Sequence, residues 1–197
     1  MLTGLKGRVR SRKLLVPGTV ALALLLSVVG LRFHRYAYAV AWHCIHGNLT
    51  TIGEHRIGLP ILWWEERGSG WTDESLVERG VFSLVRANPA SSFDQPRIIA
   101  RPASPWEVDA TDQEVRKSIE AAIAVLNHGS EDGWSHSLVT LSSRQFTMYC
   151  MRDVLRGFGS DRLVSLNCSE AKMRYSFAYS GPERHEKEAE IILSTFE

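Results

Sequence analysis

Four residues near the N-terminal third could in principle hold a metal: His43, Cys44, His46 and His55. A site needs imidazoles and a thiolate to converge, each held by a further partner. His43 and His46, three apart on a helix, share a face, but Cys44 points elsewhere on it. The spacing therefore favours interfacial histidines over a metal centre, and no cofactor is expected. A second cluster could serve nucleophilic catalysis: Asp132, Ser135, His136 and Ser137. A triad is a matter of geometry rather than sequence proximity, and this stretch reads more simply as a polar loop entering a strand. There is no G-x-S-x-G elbow, H-E-x-x-H pair or glycine-rich phosphate loop. The acid pairs Glu65-Glu66 and Asp73-Glu74 read as solvated loop charges, so no catalytic residue is assigned.

The chemistry the sequence does support is oxidative. Cys150 and Cys168 lie in two strand-like runs, FTMYCMR and LVSLNCS. Antiparallel pairing of these runs would bring the two alpha carbons within bonding range. Such a disulfide belongs in an oxidising compartment. Two ordinary buried thiols are the alternative. Cys44 is left over.

The segment that sets the compartment is Leu14–Leu31, LLVPGTVALALLLSVVGL, which has no charged residue. At helical rise it reaches about 27 Å, close to the hydrocarbon thickness of a bilayer. The arm before it carries Lys6, Arg8, Arg10, Arg12 and Lys13 and no acid; the far flank carries only Arg32, Arg35 and His34. The heavier cationic flank stays in the cytoplasm, so the remainder is exported, periplasmic or extracellular. Tyr36, Tyr38 and Trp42 follow at headgroup level. A cleaved signal peptide competes, with Ala37-Tyr38-Ala39 or Ala39-Val40-Ala41 as cleavage sites, but the apolar run is long and Arg32 and Arg35 interrupt it. The expected organisation is a cytoplasmic arm at 1–13, a transmembrane helix at 14–31, a juxtamembrane helix at 32–46 and an extracytoplasmic domain at 47–197.

The exported part is one domain's worth of chain. Beyond residue 35 it carries sixteen Lys and Arg against twenty-two acids. A mildly acidic domain gives no electrostatic reason to bind nucleic acid. After Arg32 the helix is expected to continue, with Phe33, Tyr36, Val40 and Cys44 as its stripe and Gly47-Asn48 as its stop. Gly53–Leu62 alternates as a strand, which Pro60 requires either to lie at an edge or to end there. Trp63 and Trp64 follow at the lip of a core, as a possible contact surface. Gly80–Ala87 and Arg97–Arg101 are strands of a meander. Thr111 and Glu114 form a capping box for an amphipathic helix over Asp112–His128, with Val115, Ile119, Ala122, Ile123 and Leu126 on its packing face and Gly129 as its stop. Ser135–Ser142, Gln145–Arg152, Arg162–Cys168 and Lys172–Tyr179 are further strands, the last two a hairpin over Ser169-Glu170. In the last, Met173, Tyr175, Phe177 and Tyr179 share one face and Lys172, Arg174 and Ser176 the other, so that one is core and the other wet; Asp153–Asp161 reads as a loop, with a helical turn over DVLRGF as the alternative. Gly181-Pro182 opens a terminal helix with proline at its first position, docked by Ala189, Ile192, Leu193 and Phe196.

The expected fold is α+β: an antiparallel sheet packed by an internal amphipathic helix and a C-terminal helix, behind one membrane helix. The piece GEHRIGLPILWW, with its RI-x-LP-x-x-W pattern, and the ending EAEIILSTFE resemble the extracytoplasmic PsbP/Mog1-like domains. That resemblance implies a layered sandwich closed by a helix, acting as a binding or assembly factor, and it carries over no site residue. A transmembrane anchor, where many such domains have a lipid-modified cysteine, is a departure. The expected function is a membrane-anchored extracytoplasmic module that binds an envelope protein partner, with the bilayer engaged through residues 14–31. The alternative is a membrane-bound envelope hydrolase.

Overall fold

The computed structural model describes residues 8–66, 80–88, 95–104, 109–129, 133–155, 162–170 and 175–197. Asp73, Glu74, Asp132 and Met173 lie outside them. Helix α1 runs unbroken over Arg8–His46. Strands β1 (Leu49–Ile52) and β2 (His55–Gly58) follow, then β3 (Trp63–Glu65), β4 (Phe82–Arg86) and β5 (Arg97–Pro102). Helix α2 covers Asp112–Gly129. Strands β6 (Trp134–Ser142), β7 (Thr147–Leu155), β8 (Leu163–Ser169) and β9 (Tyr175–Pro182) lead through a 3-10 turn at Glu183–His185 into α3 (Glu186–Ser194). The fold is the α+β arrangement expected from the sequence.

The main sheet has seven strands in the order β3-β4-β5-β9-β8-β7-β6, every neighbour antiparallel. Because side chains alternate across a strand, the register assigns two faces. One face gathers Leu84, Ile98, Ala100, Phe177, Tyr179, Leu166 and Met148, all buried. Helix α3 closes this face with Ala189, Ile192 and Leu193, and Phe196, just past the end of the helix, completes the stripe; all four are 0% exposed. Burying a large apolar side chain contributes roughly 1.5–3 kcal/mol, so the stripe expected at the C-terminus is what seals the core. Phe196 meets the Phe177 ring edge-on at 4.8 Å.

Helix α2 lies against β6 and β7 on the opposite face. Its capping box forms as expected: the Glu114 amide donates to Thr111 Oγ1, and the Thr111 amide donates to Glu114 Oε2 at 2.8 Å. Its packing is shallower than expected. Val115 is buried, whereas Leu126 is 40% exposed. Gly129 belongs to the helix itself.

Several elements differ from expectation. Gly53–Leu62 is not one strand. It is the second arm of a separate hairpin, β1–β2, turned at Gly53-Glu54 with Gly53 at φ +60. A side chain on Gly53 would begin 2.6 Å from Tyr175 Oη, so the turn needs both the left-handed backbone and the missing side chain. The C-terminus locks this hairpin: the Arg56 amide donates to the Glu197 carbonyl at 2.9 Å, and the Glu197 amide donates back at 3.0 Å. Strand β7 continues through Asp153 to Leu155 where a loop was expected. Pro182 ends β9 with extended backbone and caps the 3-10 turn rather than opening the helix. The docking stripe of α1 is also rotated. Ala39, Trp42 and His43 are buried, while Phe33, Val40 and Cys44 face out.

Candidate interaction site at the anchor-helix seam

The upper part of α1 is built into the domain. From Val20 to His46 it is long and apolar enough to cross a membrane, and none of its most apolar eighteen residues is buried. Contact begins at Arg35, whose Nη1 donates to Gln95 Oε1 at 3.0 Å. One turn on, Tyr38 meets Trp64 edge-on at 5.6 Å. Ala39 is fully buried, its small side chain allowing close approach. His43 is the fastening point. Its Nδ1 lies 2.8 Å from the Gly47 carbonyl and 3.1 Å from Asn48 Oδ1; its Nε2 lies 3.0 Å from the Pro60 carbonyl and 2.7 Å from the Trp63 carbonyl. One ring thus ties the last turn of α1 to the loop entering β3. Gly47, at φ +74, then ends the helix and returns its amide to the His43 carbonyl at 2.8 Å.

Beside this seam opens a cleft of about 420 Å³ lined by Tyr38, Trp42 and His46 from α1, Leu49, Thr50 and Thr51 from β1, and Glu65 from β3. The three helix residues fall at i, i+4 and i+8, a single stripe. His46 stacks on Trp42 at 4.6 Å and 20°. Glu65 is buried, and Thr50 Oγ1 donates to its Oε2 at 2.7 Å. The cleft therefore combines aromatic faces with a carboxylate, a surface suited to recognition.

Cys150 and Cys168 are bonded across β7 and β8, directly opposite in register. Trp63 and Trp64 are 0% and 6% exposed, so neither ring is displayed as a platform. Trp63 faces the core, where its Nε1 donates to Glu188 Oε2 at 2.9 Å; Trp64 lies under Tyr38 on the other face. The four residues weighed as metal ligands do not converge. His43 is held by oxygens, Cys44 is exposed, His46 lies on Trp42, and His55 packs on Phe196 at 4.8 Å. Among the described residues, no group of three His, Cys, Asp or Glu side chains could hold a metal ion.

The catalytic cluster is also rearranged. Asp153, paired with His136 in the β6–β7 register, sits 2.7 Å from His136 Nδ1. Asn167 Nδ2 donates to the second Asp153 oxygen at 3.4 Å and to Ser165 Oγ at 3.3 Å. This is the base-orienting half of a triad. Ser135 and Ser137 alternate onto the opposite face, and among the described residues no hydroxyl or thiol is hydrogen-bonded to His136. Sequence reading missed Asp153 because only the strand register brings it to His136.

Two arginines of the sheet grip the start of α3. Arg86 pairs with Glu188 at 2.6 and 3.1 Å. Arg152 pairs with Glu186 and reaches Glu183 at 3.1 Å. Burial pushes the Glu188 carboxyl up, but the Arg86 and Trp63 hydrogen bonds outweigh it and hold the group below the usual carboxylate range. Burial, with Arg86 nearby, also holds the His185 imidazole below its ordinary value.

No protein-family model matches the chain, and no curated protein matches it. Solved structures similar to this chain include the following two. One is the solution structure of the cyanobacterial PsbP (CyanoP) from Synechocystis sp. PCC 6803, at 13% identity and TM-score 0.41, covering 75% of this chain and 88% of that one. The other is a crystal structure from Bacteroides thetaiotaomicron VPI-5482, at 16% identity and TM-score 0.40, covering 75% of this chain; the chain spans 46% of that protein. TM-scores near 0.4 leave both likenesses short of a functional conclusion.

Proposed function

We propose that the chain is a single-pass membrane protein whose α+β domain is held outside the cytoplasm as a binding or assembly module, with the basic arm at 1–13 left inside. The observation that carries this reading is the continuity of α1. One helix of 39 residues supplies both an apolar stretch without protein partners and, through Ala39, Trp42 and His43, a buried seam with the domain. At helical rise it is about 58 Å long, so a bilayer takes up roughly half and the remainder is left to mount the domain. Such a mount holds the domain at a set height and angle, whereas a flexible linker would let it swing. The Cys150–Cys168 bond fits an oxidising compartment.

In this reading residues 14–31 span the bilayer, 32–46 form the mount and 47–197 the domain. The cleft beside Tyr38, Trp42 and Glu65 takes the place of the buried tryptophan pair as the contact surface for an envelope partner. A hydrolase reading has the His136–Asp153 pair in its favour. It requires a nucleophile delivered to His136 from outside the described residues. Carbonate washing of membranes, followed by pull-down from the solubilised fraction, tests the proposal. The tagged chain stays in the pellet after carbonate and co-purifies with an envelope protein, and Tyr38→Ala weakens that capture. Release by carbonate would refute the tether; capture indifferent to changes around the cleft would refute the contact surface.

A further inference from the structure

The main sheet has two edges. Strand β3 is three residues long and lies against α1. Strand β6 is nine residues long, Trp134–Ser142, and contains no charged residue, proline or glycine. Edges left long, uncharged and uncovered recruit another strand, which is why most proteins shorten, charge or cover them.

The disulfide reveals which backbone groups of β6 point outward. The Cys150 and Cys168 alpha carbons are 4.0 Å apart, the close spacing of a non-hydrogen-bonded antiparallel pair. The Cys150 backbone therefore turns away from β8 and toward its β6 partner, Val139. Val139 turns inward in return, so His136, Leu138, Thr140 and Ser142 present their amides and carbonyls to the outside. Two separate contacts agree. Asn127 Nδ2 of α2 donates to the outward His136 carbonyl at 3.3 Å, and the inward Ser143 amide donates to the Phe146 carbonyl at 2.9 Å. Among the described residues, nothing takes up the outward amides and carbonyls of Leu138 and Thr140, and Thr140 is exposed.

We propose that β6 pairs antiparallel with β6 of a second copy of this chain, about a two-fold axis through Thr140, joining two sheets into one. The open window argues for a copy. Asn127 closes it at His136 and the turn from Ser143 closes it at the other end, so the free stretch Leu138–Ser142 is centred on Thr140. An identical strand fills it without overhang. The register sets Thr140 against itself and Leu138 against Ser142 of the copy, adding about six backbone hydrogen bonds at two per bonded pair. Val139 then lies opposite Leu141 of the copy, and no charge opposes another charge. This pairing does not depend on the membrane reading.

The test is the mass of the full chain in mild detergent, by light scattering across a concentration series. Thr140→Lys sets two ammonium groups against each other at the axis. Thr140→Pro deletes an outward donor at an edge, where proline is tolerated. Thr140→Val keeps the strand. Wild type and Thr140→Val should be dimers. Thr140→Lys and Thr140→Pro should be monomers over the same range, with the disulfide intact and an unchanged circular dichroism spectrum. Should Thr140→Pro fail to fold, Thr140→Lys decides alone. A monomeric wild type would overturn the proposal, even if a foreign extended peptide then slowed amide exchange at Leu138 and Thr140. A dimer that survives Thr140→Lys would overturn it too, by locating the contact elsewhere.

Discussion

Arg86 of β4 and Glu188 of α3 meet in a two-pronged ion pair, Nε to Oε2 at 2.6 Å and Nη2 to Oε1 at 3.1 Å. Trp63 Nε1 donates to the same carboxylate at 2.9 Å. The edge strand, the strand next to it and the closing helix therefore share one anion. Arg86→Met leaves Glu188 and the Trp63 donor with weaker partners, and should destabilise the domain by about 2–3 kcal/mol in urea unfolding. Glu188→Gln keeps one acceptor and should lose less. Equal stability of Arg86→Met and wild type would show that the grip contributes nothing.

The same contact sets an acid limb. His185 is held below its ordinary value, so the unfolded chain takes up a proton there first as pH falls through the usual histidine range of about 6.5. Glu188 is held below the carboxylate range, so its contribution is complete above that range and is lost as pH falls through the folded value. Both groups make stability decline toward acid, in two stages. Urea midpoints measured from about pH 8 to 3 should show this, and His185→Gln should remove the upper stage alone. A midpoint that rose on acidification would contradict the sign.

Phe196 is the plug of the core. It is 0% exposed, lies 4.8 Å from both Phe177 and His55, and is followed by the backbone pairing of Glu197 with Arg56. Phe196→Ala should cost about 3–5 kcal/mol. It should also loosen the β1–β2 hairpin, seen as faster amide exchange at Arg56. A loss below about 1 kcal/mol would mean that α3 closes the core without Phe196.

The disulfide closes a short loop, Cys150 and Cys168 being 18 residues apart in sequence. Removing it by a double change to serine should cost about 3 kcal/mol. Non-reduced peptide mapping should recover the two cysteines in one linked species, which gains two hydrogens on reduction. Separate free thiols in protein taken from its native compartment would contradict both the bond and the oxidising environment.

Much of this architecture is written in local chemistry. The capping box at Thr111 and Glu114, the stop at Gly47 and the stripe Ala189, Ile192, Leu193 and Phe196 act over a few residues, and each appears where the residues demand it. The cysteine pair was readable because two strand-like runs with one cysteine each have few other ways to meet. What escaped depends on distant chain. The β1–β2 turn at Gly53 is enforced by Tyr175, more than a hundred residues away. The face that α1 buries is chosen by Trp64 and the Trp63 carbonyl, so Ala39 and His43 go inward where hydrophobicity alone favoured Val40 and Cys44. The pairing of His136 with Asp153 exists only through register, and nothing in either segment announces it. The candidate cleft was invisible for the same reason, since it needs a helix face, a hairpin and a third strand together.

Cys44 offers the most direct test of the central claim, that α1 crosses a bilayer and leaves the domain outside. It is exposed and is the free thiol beside the seam, two residues before the end of α1. In intact spheroplasts, a membrane-impermeant maleimide should label Cys44 before lysis, with the protein in the membrane pellet and Cys44→Ser unlabelled. Labelling that appears only after the membrane is opened, or a chain recovered in the soluble fraction, would contradict the account.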